Sequence, residues 1–163
     1  MSAHRLRVQR KPFGTLTAAE NAGWARLLRE SATSRWAFLS PTYAEAATST
    51  LGPVDVLLFW QSDELVRVMP LQRASGWLGR MGMREPVGRH MTDYFGLLAR
   101  PGLQLDWRSL LLKAGVPCLY FTHLDESQSA HGLKGDSPKS GLRTCIHPAG
   151  GEAHWEWLRT RDK

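Results

Sequence analysis

Two cysteine–histidine pairs offer the first possible chemistry: Cys118 with His123, and Cys145 with His147. Each pair lies in an apolar run with strand character, where successive side chains alternate between faces, so Cys145 and His147 share a face while Cys118 and His123 do not. A structural zinc needs four converging ligands, and no Cys-x-x-Cys is present, so the sequence predicts no metal site. Two cysteines also make no disulfide framework and read as thiols in a reducing compartment. Ser127 and Ser129 follow Asp125 and Glu126 at what reads as a helix start, where hydroxyls cap backbone N–H groups. Without Gly-x-Ser-x-Gly, neither reads as a nucleophile. Gly76, Gly79 and Gly82 are three apart but end in no Gly-Lys-Ser/Thr, so a phosphate cradle gives way to a flexible loop. Of the seven tryptophans, Trp24, Trp60 and Trp107 fall on apolar faces and read as core. Trp77, Trp155 and Trp157 lie in loop-like or terminal segments.

The elements that must place these residues follow from local pattern. Residues 4 to 11 alternate loosely, as an edge strand does. Thr17 with Glu20 three residues on forms a capping box for a helix over residues 18 to 31, with Trp24, Leu27 and Leu28 on its buried face. Ser40-Pro41 opens a second helix that Gly52-Pro53 ends, with proline at the first helical position, where its missing N–H costs nothing. Two apolar runs, residues 54 to 60 and 65 to 71, flank Gln61-Ser62-Asp63-Glu64 and read as a hairpin at the centre of the sheet, covered by the Trp24 helix. Residues 74 to 90 read as a loop or irregular strand, and 94 to 98 as a short strand. A helix follows from about residue 106 to Ala114, stopped by Gly115. Residues 117 to 124 read as a buried strand, 125 to 133 as a short helix and 142 to 147 as a last strand. This order predicts an α/β domain with a mixed, partly antiparallel sheet flanked by helices. A pure dinucleotide-binding sheet is excluded, because no Gly-x-Gly-x-x-Gly follows the first strand.

Composition narrows the class further. The 163 residues, 42% hydrophobic and 22% charged, suit one globular domain, and no apolar stretch approaches the roughly 18 residues a membrane span needs. A secretory h-region is missing after the basic start, which predicts a cytoplasmic protein. The formal charge of +6 falls to +2 once the four cations Arg5, Arg7, Arg10 and Lys11 are set aside. The body therefore carries no basic surface for nucleic acid. Those first eleven residues carry little apolar surface, so their removal is expected to leave stability largely intact.

Several stretches taken together bear a family likeness: Phe38-Leu39-Ser40-Pro41, Met69-Pro70-Leu71, His90-Met-Thr-Asp93-Tyr94-Phe-Gly96-Leu-Leu, and Tyr120-Phe-Thr-His123-Leu-Asp-Glu-Ser127-Gln128-Ser-Ala-His131-Gly-Leu133. They resemble the N-terminal half of bacterial CelD-like acyltransferases associated with cellulose biosynthesis, members of the GNAT superfamily similar to FemAB-type double-GNAT enzymes. The resemblance implies a GNAT-like domain over residues 16 to 150, preceded by a basic arm and first strand (1 to 15) and followed by the start of a connection to a second half (151 to 163). It implies transfer of an acyl group from acyl-CoA, such as acetyl-CoA, to an amine or hydroxyl of a small-molecule, sugar or peptide acceptor. It places Asp93, Tyr94, His123 and Gln128 near the cleft between the halves. There His123 and Asp93 would deprotonate or orient the acceptor, and Tyr94 and Gln128 would bind it. The superfamily's pyrophosphate motif, Arg/Gln-x-x-Gly-x-Gly/Ala, is matched by Arg73-Ala-Ser-Gly76-Trp77 and broken at Leu78. Acyl-CoA would then be held mainly by the second half, and Trp155, Trp157 and Leu158 would form an apolar patch through which the chain self-associates. A non-catalytic binding or assembly module on the same fold is the competing reading.

Overall fold

The computed structural model describes residues 6–31, 37–92, 94–99, 106–121, 124 and 126–132. Strand β1 (Leu6–Pro12) leads into helix α1 (Ala18–Glu30), helix α2 (Pro41–Leu51), strands β2 (Val54–Gln61) and β3 (Glu64–Arg73), and helix α3 (Gly76–Arg80). Strands β4 (Met83–Pro86) and β5 (Leu98–Ala99), helix α4 (Trp107–Lys113) and strand β6 (Cys118–Leu119) follow, then a 3₁₀ helix, Glu126–His131. The sheet runs β1-β2-β3-β4-β6, with β5 also paired to β3. All pairings are antiparallel except β4 with β6. This is the expected α/β architecture, a mixed, mostly antiparallel sheet with helices on its faces, consistent with a GNAT-like fold.

The capping box at α1 forms as its residues require: the Thr17 hydroxyl accepts from the Glu20 N–H at 3.2 Å, and the Glu20 carboxylate accepts from the Thr17 N–H at 2.7 Å. Lys11 of β1 donates to the other Glu20 oxygen at 2.7 Å, tying strand to helix. Burial works against ionisation of this carboxyl, but the bonds from Lys11 and Thr17 outweigh it and leave the pKa below the usual carboxylate value. At α2, Ser40 caps the Tyr43 N–H and Pro41 takes the first helical position.

Strands β2 and β3 form the expected central hairpin, turning at Ser62-Asp63 with Ser62 at φ 56° and a register shift at Phe59/Trp60. Both faces are covered, so β2 reads as a near-continuous apolar run and not as an alternation. On one side Val54, Val56, Leu58, Val68 and Leu98 pack against Trp24, Leu27, Ala44 and Ala47. On the other, Leu57, Phe59, Met69 and Leu71 pack against Phe95, Leu97, Trp107 and Leu110. Trp24 and Trp107 are core as expected, whereas Trp77 is 69% exposed.

Three segments depart from the sequence reading. The stretch 74–90, read as a loop or irregular strand, holds a short strand, β4, and also a helix, α3, that the glycines concealed. Gly79 acts as a packing residue, since a Cβ there would come within 1.9 Å of the Ala74 carbonyl oxygen, whereas Gly76 has open space around it and a φ of 64°. Of the described residues in 117–124, Cys118–Leu119 form a two-residue strand at the sheet's edge, with Cys118 exposed and Tyr120 53% exposed, β4 being the one neighbour of β6 among the described residues. Of 94–98, only Leu98 joins a strand, while Phe95 makes a single bridge to Leu124. The edge strand read over residues 4 to 11 forms as β1 at the edge of the sheet, and all seven of its residues register with β2, so the described part of the basic arm belongs to the sheet. The expected strand at 142–147, with Cys145 and His147, and the segment holding Trp155, Trp157 and Leu158 lie outside the described residues.

Candidate functional site

The outer edge of β3 has two partners in succession. Leu71–Arg73 pair with β4 and Arg67–Val68 with β5, both antiparallel. β4 and β5 therefore run in the same direction along one edge, and residues 87–97 leave that edge and return to it. Met69 and Pro70, between the two pairings, have no strand partner on that side among the described residues. Pro70 has no N–H to offer a ladder there. A strand interrupted in the middle of a sheet leaves backbone groups to be satisfied by other means, and buried polar side chains do this here.

Gln72, 1% exposed, accepts the Gly88 N–H at 3.1 Å and donates to the Gly52 carbonyl at 3.1 Å. The Thr92 hydroxyl donates to the Val87 carbonyl and shares a 3.2 Å hydrogen bond with the Tyr43 hydroxyl. Arg89 bridges to Glu85 at 3.0 Å. At the return end, Gln128 of the 3₁₀ helix is 1% exposed and replaces a missing strand: its Oε1 accepts the Leu97 N–H at 2.8 Å and its Nε2 donates to the Leu97 carbonyl at 3.5 Å. Gly96 makes room, since a Cβ there would lie 2.8 Å from the Gln128 amide.

Beside this anchored excursion lies a cation that has no partner among the described residues. Arg67 sits in register between Phe59 of β2 and Ala99 of β5, on the face that carries the Trp107 cluster, and is 6% exposed. Its Nε is buried with no hydrogen-bond partner, and among the described residues no carboxylate pairs with it. Burial pushes its pKa down from the ordinary guanidinium value. His131 ends the same 3₁₀ helix as Gln128 and is fixed by Trp107, whose indole Nε1 donates to the His131 carbonyl at 2.8 Å. The imidazole is 8% exposed with Nδ1 buried and unpaired. Burial, and then the nearby charge of Arg67, lower its pKa below the usual histidine value, so the ring is neutral at neutral pH. A neutral imidazole with a free nitrogen can take a proton, and a desolvated guanidinium can hold or stabilise an anion.

Of the four site residues expected from the sequence, Asp93 and His123 lie outside the described residues. Tyr94 is half-buried within the excursion, and the Gln128 amide is engaged by the Leu97 backbone. Arg67 and His131 were not singled out in the sequence, although Arg67 gave a signal: it is a charge in the middle of the apolar run Leu65-Val-Arg67-Val-Met-Pro-Leu71. His131 gave none, because its environment comes from α4 and β3. The Arg73-to-Leu78 stretch connects β3 to the five-residue α3. Elsewhere, a groove of about 1020 Å³ opens between α1 and the hairpin turn. Its Arg26 is occupied by Glu64 at 3.4 Å and by the Leu65 carbonyl at 3.3 Å. Among the described residues no cluster of His, Cys, Asp and Glu could hold a metal ion, and no helix is long and apolar enough to cross a membrane.

Comparison of the chain with family models, curated proteins and solved structures returns no match.

Proposed function

We propose that this chain is the GNAT-like N-terminal half of a cytoplasmic bacterial acyltransferase that moves an acyl group from acyl-CoA to an amine or hydroxyl acceptor, in cellulose or envelope polysaccharide synthesis. The observation that carries the reading is the interrupted outer edge of β3. A mid-sheet excursion containing Tyr94 is fixed by Gln72, Thr92 and Gln128, and binding sites in α/β sheets favour such breaks in strand order. The family resemblance supports the choice of acyl transfer. In that chemistry the acceptor must lose a proton as it attacks the thioester carbonyl, so the accepting group must be neutral beforehand. The resemblance assigns this work to His123 and Asp93. Among the described residues the group in the right protonation state is His131.

A second reading, a non-catalytic assembly module, is favoured by α3 and its C-cap, where Trp77 and Met81 are 69% and 70% exposed. The full chain incubated with acetyl-CoA and a panel of amino sugars, neutral sugars and amino acids tests both. Acceptor-dependent release of free CoA thiol, lost in a folded His131→Gln variant, supports acyl transfer. Acceptor binding by calorimetry without thiol release supports a half that needs a partner for the acyl donor. Neither release nor acceptor binding leaves the assembly module.

A further inference from the structure

A central strand is the least hospitable place in this fold for an isolated cation. Every other buried charge among the described residues has an answering group. Arg84, 3% exposed, donates to Asp55 at 3.0 Å and to the carbonyls of Gly82 and Met83. Glu20 is met by Lys11 and Thr17. Arg67 alone has no counter-charge, and its neighbours in register, Phe59 and Ala99, offer only apolar side chains. His131 lies on the same face: Trp107 donates to its carbonyl at 2.8 Å and packs edge-on at 5.9 Å against Phe59, the register neighbour of Arg67, and the His131 Nδ1 is buried and unpaired. A buried guanidinium beside an unpaired neutral imidazole is an incomplete hydrogen-bonding set. What completes it must bring negative charge and oxygen acceptors, since a guanidinium has donors only, in a planar fork that matches two oxygens of one group.

We propose that Arg67, with His131 beside it, seats the anionic group of this protein's ligand, a carboxylate or a phosphate. That this ligand is the acceptor rests on the acyl-transfer reading; the anion site itself does not. The acceptor is then an anionic molecule, bound to Arg67 through its charge, with its amine or hydroxyl on the side of the unpaired His131 Nδ1. A neutral sugar would leave the guanidinium unanswered and would be discriminated against.

The test uses the full chain without any acyl donor, so that its result is independent of the CoA-release assay. Thermal unfolding is followed in sodium acetate and in sodium phosphate at constant ionic strength, with chloride as the reference. The expected result is a midpoint that rises with one of the anions and saturates, as binding to the native state requires, and that does not rise in Arg67→Met. Saturation with acetate alone identifies a carboxylate, and with phosphate alone a phosphate. No rise with either anion, or an equal rise in Arg67→Met, overturns the proposal. If Arg67→Met does not fold, the wild-type imidazole signal of His131 decides, assigned by its absence in His131→Gln. Occupancy at Arg67 offsets the positive charge beside the ring, so the anion raises the pH midpoint of that signal. A midpoint identical in anion and in chloride overturns the assignment.

Discussion

An unpaired buried charge costs stability, and replacing Arg67 by methionine turns that cost into a measurement. The side chain is 6% exposed, its Nε has no partner, and Phe59 and Ala99 flank it in register. Most buried-to-apolar changes at a charged site break an ion pair and so destabilise. Here no pair exists to break among the described residues, and methionine keeps the length of the apolar stem while removing a charge that water no longer solvates. Replacing buried charges by well-packed apolar groups has gained roughly 1–4 kcal/mol in other proteins, so a gain of about 2 kcal/mol is expected. At roughly 2–4 °C per kcal/mol for a chain of this size, the unfolding midpoint should rise by about 4–8 °C. Arg84→Met is the matched control. It removes a cation as deeply buried, at 3% exposure, but one that Asp55 meets at 3.0 Å. Breaking that pair should cost about 3 kcal/mol, at the low end because Arg10 remains 4.0 Å from Asp55. The assay is urea unfolding followed by tryptophan fluorescence and far-ultraviolet circular dichroism in chloride buffer, with m-values compared so that only stability is read. Two shifts of opposite sign are expected. A midpoint that falls in Arg67→Met as it does in Arg84→Met would refute the reasoning, because it would mean that Arg67 already has its partner.

Three further outcomes follow from the same geometry. Because His131 has its pKa lowered in the folded state, the unfolded chain takes up a proton first as pH falls below about 6.5, and stability is lost from there down to the folded value, by at most about 1.4 kcal/mol per pH unit. Urea unfolding between pH 8 and 5 should show a steeper loss in wild type than in His131→Gln, a comparison that cancels Glu85, whose raised pKa acts in the opposite sense. Gln128→Leu leaves the buried Leu97 N–H without an acceptor and should cost about 2 kcal/mol. Hydrogen exchange at that amide should accelerate more than exchange at the β2–β3 ladder. Deleting residues 1 to 12 removes all of β1, together with Leu6 and Val8 against the Trp107 cluster and the Lys11–Glu20 bridge. The midpoint should drop by more than roughly 8 °C, and a smaller drop would restore the view of this segment as a dispensable arm.

What could be read from the sequence was local chemistry. Thr17 with Glu20, Ser40 with Pro41, and the paired apolar runs around Ser62-Asp63 each specify an element within a few residues, and each formed. The errors share a different cause. Gly79 looks like a breaker until Ala74 is known to approach within 1.9 Å of where its Cβ would stand. Residues 94–97 look like a strand because Tyr, Phe and Leu favour one, but Phe95 makes a single bridge to Leu124 and the Leu97 backbone is answered by a glutamine side chain from 31 residues away. No window along the chain contains that bond. The charge of +2 left on the body was likewise correct as a sum and silent about which cation is buried.

The division of labour among buried polar groups is what separates scaffold from site in this fold. Gln72, Thr92 and Gln128 are satisfied by neighbours that the fold itself supplies, and together they fix both ends of an excursion that would otherwise close into an ordinary strand. Groups used in this way have no capacity left for a ligand, which is why the Gln128 amide, for all its central location, serves the backbone. Arg67 and His131 are the reverse case: equally buried, adjacent to the same excursion, and left with unmet hydrogen-bonding capacity. Structures rarely leave a buried charge unanswered, because the penalty is large and a single substitution removes it. Where such a group persists beside a rigidly anchored break in a sheet, the missing partner is expected to come from outside the fold, and stability is expected to trade against binding at that one residue.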